Sequence, residues 1–168
     1  MTIQIYISNA SADDTIAIAL RRLLRGVFLN AEVTLASRDP SGGRAWLRES
    51  RDKLKGAAVI VAVMSSFSKR SPWVLLELGS GFFEKKALIL CTDGIMLQDL
   101  EPPLNLLTAR TLTDTGLKTL MDDIARIAEV PPPTVCSGID AALNEINSFL
   151  LLRSQSLESD PVNEELRD

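Results

Sequence analysis

Strand and helix signals alternate along the chain, an unbroken apolar run covers Ala57 to Met64, and Ser71-Pro72 marks a helix start. Together these predict a doubly wound α/β domain on a five-stranded parallel sheet. Ile3, Ile5 and Ile7 alternate as a first strand. Ser11 and Asp14 have the spacing of a capping box, which opens a helix with the apolar stripe Ile16, Leu20, Leu23, Leu24 and Val27. Ala31 to Ala36 reads as a second strand, Ser37 to Gly43 as a loop by its turn chemistry, and Arg44 to Lys55 as a charged helix. The run from Ala57 to Met64 is the signature of a central strand covered on both faces. A helix from Ser71 to about Lys85 follows, because an N-cap serine precedes proline at the first helical position. Ala87 to Cys91 is a fourth strand, Ala109 to Leu112 a short fifth, and Asp114 to Glu129 an amphipathic helix. Right-handed crossovers make the flavodoxin-like order 2-1-3-4-5 the expected one. Residues 1–130 form the expected domain, and residues 131–152 a proline linker and a helix from Ile139 packing on it. Residues 153–168 lack core-forming content and are expected to be a disordered tail.

Composition narrows the chemistry. With 168 residues and 46% hydrophobic content the chain supports one continuous core. Its net charge of −4, with the basic residues scattered, argues against nucleic acid as a partner. No apolar run approaches the ~20 residues that span a bilayer and no signal segment opens the chain, so a cytoplasmic protein without a membrane partner is expected. Cys91 and Cys136 fit neither a metal knuckle nor a disulfide scaffold. The chain has no histidine, which removes Ser-His and Cys-His nucleophile pairs and the commonest ligand of catalytic zinc. No metal or bound cofactor is expected, and catalysis must rest on carboxylates, hydroxyls, lysines or arginines.

The strand order locates a ligand crevice at the carboxyl ends of strands one and three, where the loops Ser8–Asp14 and Ser65–Trp73 converge beside Ser37–Arg44. Trp73 and Glu77, four residues apart, share one face of the helix that starts there. Val74, Leu75, Leu78 and Phe82 form the stripe expected on the sheet, which leaves Glu77 facing the crevice rather than the core. A carboxylate beside an apolar wall can stabilise the oxocarbenium-like sugar that develops as a glycosidic bond breaks. An N-glycosidic bond to nicotinamide suits a single carboxylate, since the leaving group departs neutral from a cationic pyridinium. Each residue also has a plainer reading. Glu77 reads equally as an exposed helix glutamate and Trp73 as a core anchor. Arg38 and Arg44, flanking Ser41-Gly42-Gly43, either hold a pyrophosphate or are solvated loop cations. Capping explains Ser11, Ser8 at the strand end is within reach of a ribose hydroxyl, and Asp13 and Asp14 read as first-turn charges. Gly79 and Gly81 suggest close packing of this helix against something, a second copy among the candidates.

The segments Ile5-Tyr6-Ile7-Ser8-Asn9-Ala10-Ser11-Ala12-Asp13-Asp14, Ser37-Arg38-Asp39 to Trp46, and Ser68-Lys69-Arg70-Ser71-Pro72-Trp73-Val74-Leu75-Leu76-Glu77-Leu78 resemble TIR domains of the bacterial stand-alone type. The resemblance runs from Ile3 to Glu129, and its most specific element is tryptophan, three residues, then Glu-Leu. It implies a TIR-like fold and cleavage of NAD as substrate, by hydrolysis, cyclisation or ADP-ribosyl transfer, with Glu77 as the catalytic carboxylate. It further implies that Trp73 flanks the substrate, that Ser8, Asn9 and Ser11 border the pocket, and that Arg38, Gly43, Arg44 and Trp46 border it from the second loop. By the same resemblance the protein is expected to act in anti-phage defence as a homo-oligomer, with a separate effector protein sensing its product. Two other readings remain: a TIR module that works by assembly alone, and a nucleoside deoxyribosyltransferase-like enzyme. A phosphoacceptor receiver is excluded, because strand three ends in Met64-Ser65 with no aspartate.

Overall fold

The computed structural model describes residues 2–36 and 43–158, and of residues 43–46 only the backbone. β1 (Ile3–Ser8), β2 (Ala31–Leu35), β3 (Val59–Met64), β4 (Ala87–Cys91) and β5 (Thr108–Thr111) form one parallel sheet in the order β2-β1-β3-β4-β5. The predicted architecture and strand order are those observed. All six residues of β3 are buried, as a strand covered on both faces requires.

The period-two alternation of β1 divides the core. Ile5 and Ile7, with Val59, Val61, Val63, Leu88 and Leu90, face α1 (Asp14–Val27), α4 (Asp114–Ile127) and α5 (Ile139–Glu158). Tyr6 and Ile60 face the other layer, formed by α2 (Gly43–Gly56) and α3 (Pro72–Phe82). No helix among the described residues is long and apolar enough to cross a membrane.

α3 begins as expected: Pro72 is its first residue and the Ser71 hydroxyl accepts the Val74 amide. It is rotated, however, relative to the stripe read from hydropathy. Its buried residues are Val74, Glu77, Leu78 and Gly81, whereas Leu75 is exposed and Phe82 half-buried. Gly81 makes this rotation possible, since a Cβ there would lie 2.8 Å from Ile60 Cδ1 on β3. The close packing suggested for the two glycines is therefore internal at Gly81. Gly79 is exposed, and a Cβ there would meet no described atom within 4 Å.

Two further expectations need correction. α1 starts one turn late, after a 3-10 turn over Ser11–Asp13, and its N-cap Asp13 makes no side-chain cap bond, so no capping box forms. α5 continues past Leu152 to Glu158, so residues 153–158 are helical rather than disordered. It runs antiparallel to α1, with Arg22 paired to Glu145 near one end and Arg153 bonded to the Ala12 carbonyl at the other. Residues 159–168, the rest of the expected tail, lie outside the described residues.

Both cysteines are free thiols, and Cys91 on β4 is buried. Burial first, and the Asp99 carboxylate second, push its thiol up to about 11. At pH 8 about one part in a thousand is thiolate, the reactive form. Cys136 is also raised, first by burial and then by Asp122, but is only half-buried. Labelling of the native protein with a thiol reagent at pH 8 is expected to modify Cys136 first, and Cys91 only after denaturation. Equal labelling rates by mass spectrometry would contradict this packing of β4.

Candidate active site

Glu77 sits on α3 opposite the carboxyl end of β1 and is 1% exposed. This corrects the expectation that it faces an open crevice. The reason is the rotation of α3, which places Glu77 within the sheet-facing stripe at the level of two alternate β1 residues. The Tyr6 hydroxyl donates to Glu77 Oε1 at 2.8 Å and the Ser8 hydroxyl to Oε2 at 2.5 Å. One turn back on α3, Trp73 Nε1–H donates to Oε1 at 2.6 Å. The four-residue spacing thus puts ring and carboxylate together, and through a hydrogen bond as well as a shared face.

Among the described residues every donor to Glu77 is neutral and no cation pairs with it. Burying a carboxylate costs free energy unless hydrogen bonds compensate. Here three, all from neutral groups, do so. Oε1 accepts two bonds and Oε2 one, which leaves Oε2 an acceptor position for a further hydroxyl.

Glu77 is nonetheless at the wall of a cavity. A cleft of about 620 Å³ between α2 and α3 is lined by Trp73, Glu77 and Ser80 on one side and Leu47, Arg48 and Arg51 on the other. Its volume is within the usual range of small-molecule sites. Trp73 is half-buried and walls the cleft with its ring. Arg48 and Arg51 are exposed cations one and two turns into α2. The charged helix was legible in sequence, but not which of its arginines face α3.

The remaining sequence candidates separate. Ser8 is fully buried, and its hydroxyl hydrogen is committed to Glu77. Asn9 is buried, its amide donating to the Ala10 carbonyl at 2.8 Å and to Asp14 Oδ1 at 2.7 Å. Ser11 is exposed on the 3-10 turn. Gly43 is the first residue of α2. Arg38 lies outside the described residues, as do the side chains of Arg44 and Trp46. Asp13 is no simple first-turn charge: it is fully buried and accepts the Ser65 and Ser68 hydroxyls at 2.6 and 2.5 Å. Among the described residues no group of acidic, cysteine or histidine side chains is arranged to hold a metal ion.

Residues 5–116, more than half of the chain, match the TIR domain family model, and the five-stranded parallel sheet in the order β2-β1-β3-β4-β5 is consistent with that fold. The chain belongs to the TIR domain family. No curated protein matches it. The TIR match covers β1 to the first turn of α4 and includes Tyr6, Ser8, Trp73 and Glu77, whereas α5 lies wholly beyond it.

Tyr6 is the site residue that the sequence reading missed. Its signal was the period of β1, which puts residues 6 and 8 on the face opposite Ile5 and Ile7. Tyr6→Phe keeps the ring and removes one buried hydrogen bond, so a loss of about 1 kcal/mol is expected. Urea denaturation of the two proteins measures it, and coincident midpoints would mean that the hydroxyl contributes nothing to holding Glu77.

Proposed function

We propose that this TIR domain cleaves the nicotinamide–ribose bond of NAD, with Glu77 as the catalytic carboxylate. The observation that carries the reading is a buried carboxyl group at a cleft wall, held by three neutral donors with no cation bonded to it among the described residues. In the reaction the bond between ribose C1′ and the pyridinium nitrogen breaks, and its electron pair leaves with nicotinamide. The base departs neutral, and positive charge develops on the sugar. Water, or a nucleophile of the substrate itself, then attacks C1′ and gives up a proton.

Charge stabilisation is what the protein must supply. Two unit charges 4 Å apart at an effective dielectric of about 20 attract by about 4 kcal/mol; the pyridinium already carries the positive charge, so the gain as that charge moves onto the sugar is a part of this, at most about a thousand-fold in rate. Oε2 accepts one bond from the described residues, and its second acceptor position suits a ribose hydroxyl, which would fix the sugar as C1′ turns cationic. Trp73 offers a flat apolar wall for the departing ring.

Arg48 and Arg51 favour a dinucleotide over a nucleoside. Both stand across the cleft from Glu77, where they can pair with a pyrophosphate, and a nucleoside has none. The deoxyribosyltransferase reading is accordingly the weaker one. Anti-phage defence, assembly into homo-oligomers and a product-sensing effector follow from the resemblance to stand-alone bacterial TIR enzymes, and the geometry adds nothing to them.

Glu77→Gln is expected to retain the fold, since the amide oxygen can still accept from Tyr6 and Trp73 and the Ser8 hydroxyl can accept from the amide N–H. It is expected to lower nicotinamide release by roughly a hundred- to a thousand-fold, as the loss of one preorganised charge-stabilising group does. Chromatography of NAD digests, at high protein concentration so that any assembly is populated, measures the rate. Release at the wild-type rate would remove Glu77 from the reaction. The double charge reversal Arg48→Glu/Arg51→Glu is expected to raise KM for NAD by about ten-fold or more, since each charged hydrogen bond is worth roughly 1.5–3 kcal/mol. An unchanged KM would place the pyrophosphate elsewhere.

A further inference from the structure

α5 lies beyond the TIR match, yet one of its side chains reaches the carboxyl edge of the sheet. Arg153 is nearly buried, its side chain 11% exposed. Its Nη1 donates to Asp13 Oδ1 at 2.8 Å and to the Ala12 carbonyl at 3.0 Å, both in the loop after β1. Its Nη2 lies 3.3 Å from Asp93 Oδ1, just after β4. The guanidinium also stands 4.9 Å over the Phe67 ring, in the loop after β3, and 5.1 Å from the Phe149 ring of its own helix. One planar cation therefore touches the loops after β1, β3 and β4, which a single-point lysine charge cannot do.

From Arg153 the bonding leads toward Glu77. Asp13 gives its second oxygen to the Ser65 and Ser68 hydroxyls, and Ser68 Oγ accepts the Ala10 amide at 2.9 Å. Ala10 is two residues from Ser8, the donor to Glu77 Oε2. If Asp13 lost its cation, a buried charge would be left with neutral donors only, and the loop carrying Ser8 would lose its outer anchor.

We propose that Arg153 is a positioning residue for the NAD-cleaving site: α5 clamps the β1–α1 loop through Asp13 and thereby fixes the Ser8–Glu77 hydrogen bond. The proposal rests on the catalytic reading above. It assigns to the segment beyond the TIR match a part in catalysis rather than only in covering α1.

The test compares the full chain with Arg153→Met and Arg153→Lys, reading nicotinamide release from NAD and amide hydrogen exchange. Small displacements at a reacting centre are costly, so Arg153→Met is expected to lower kcat on the order of ten- to a hundred-fold, with KM nearly unchanged. Arg153→Lys retains the charge at Asp13 but not the fork, and is expected to recover part of kcat. Exchange in residues 9–14 is expected to accelerate in Arg153→Met while β3 and β4 keep their protection. A folded Arg153→Met protein with wild-type kcat and wild-type exchange in residues 9–14 would overturn the proposal, as would an effect on KM alone. Should Arg153→Met fail to fold, Arg153→Lys decides by the same two readouts, unchanged values overturning the proposal. A wild-type chain that releases no nicotinamide defeats the catalytic reading and with it this role in catalysis. The exchange arm then still reports whether the clamp holds the loop, so the two failures are distinguishable.

Discussion

The hydrogen bonds that tie Glu77 to β1 govern both the fold of the α2–α3 layer and the chemistry available to it. A carboxylate shut away from water is costly, and the common remedy is a cation. This protein instead surrounds the group with a phenol, a serine hydroxyl and an indole. Neutral donors lower the cost of burial without neutralising the charge. A buried ion pair would cancel the charge of the group, whereas neutral donors hold it in place without a counter-charge of their own.

That geometry depends on two local facts acting together. β1 alternates, so Tyr6 and Ser8 emerge toward α3 while Ile5 and Ile7 fill the opposite core. α3 comes close enough to meet them because Gly81 presents no side chain to Ile60. The buried positions Val74, Glu77, Leu78 and Gly81 keep helical spacing, with a carboxylate and a glycine where apolar groups would otherwise stand. Rotated so that Leu75 and Phe82 were buried, α3 would have a more apolar interface and would carry Glu77 away from Tyr6.

The same facts explain what the sequence discloses and what it conceals. The apolar β3 run, the Ser71-Pro72 helix start and the Trp73–Glu77 spacing are local signals, and each is realised in the structure. Burial of Glu77 is concealed, because a hydropathy stripe weighs Leu75 and Phe82 above a glutamate and a glycine and so turns the helix the wrong way. Asp13 misleads for a related reason. Its position suits a helix dipole, but its partners lie at Ser65, Ser68 and Arg153, far along the chain. Serine and acidic residues past Leu152 resemble a disordered tail by composition. A helix exposed over much of its surface has the same composition, and one arginine in a nearly buried ion pair distinguishes the two.

The charges across the cleft bear on how a substrate would lie in it. Arg48 and Arg51 stand on α2, Glu77 on α3, and the Trp73 ring lies along the same wall as Glu77. On the catalytic reading, a dinucleotide carrying a cationic ring and an anionic pyrophosphate meets opposite potentials at the two walls. Placed with its pyridinium beside Trp73 and Glu77 and its phosphates toward α2, it gains from both. Reversed, it would bring phosphate oxygens against a carboxylate to which no described cation is bonded, and at an effective dielectric of about 20 such a contact costs several kcal/mol. On that reading, a carboxylate with no cation bonded to it among the described residues would act twice, steadying the sugar cation as the bond breaks and disfavouring the orientation in which that bond lies out of reach.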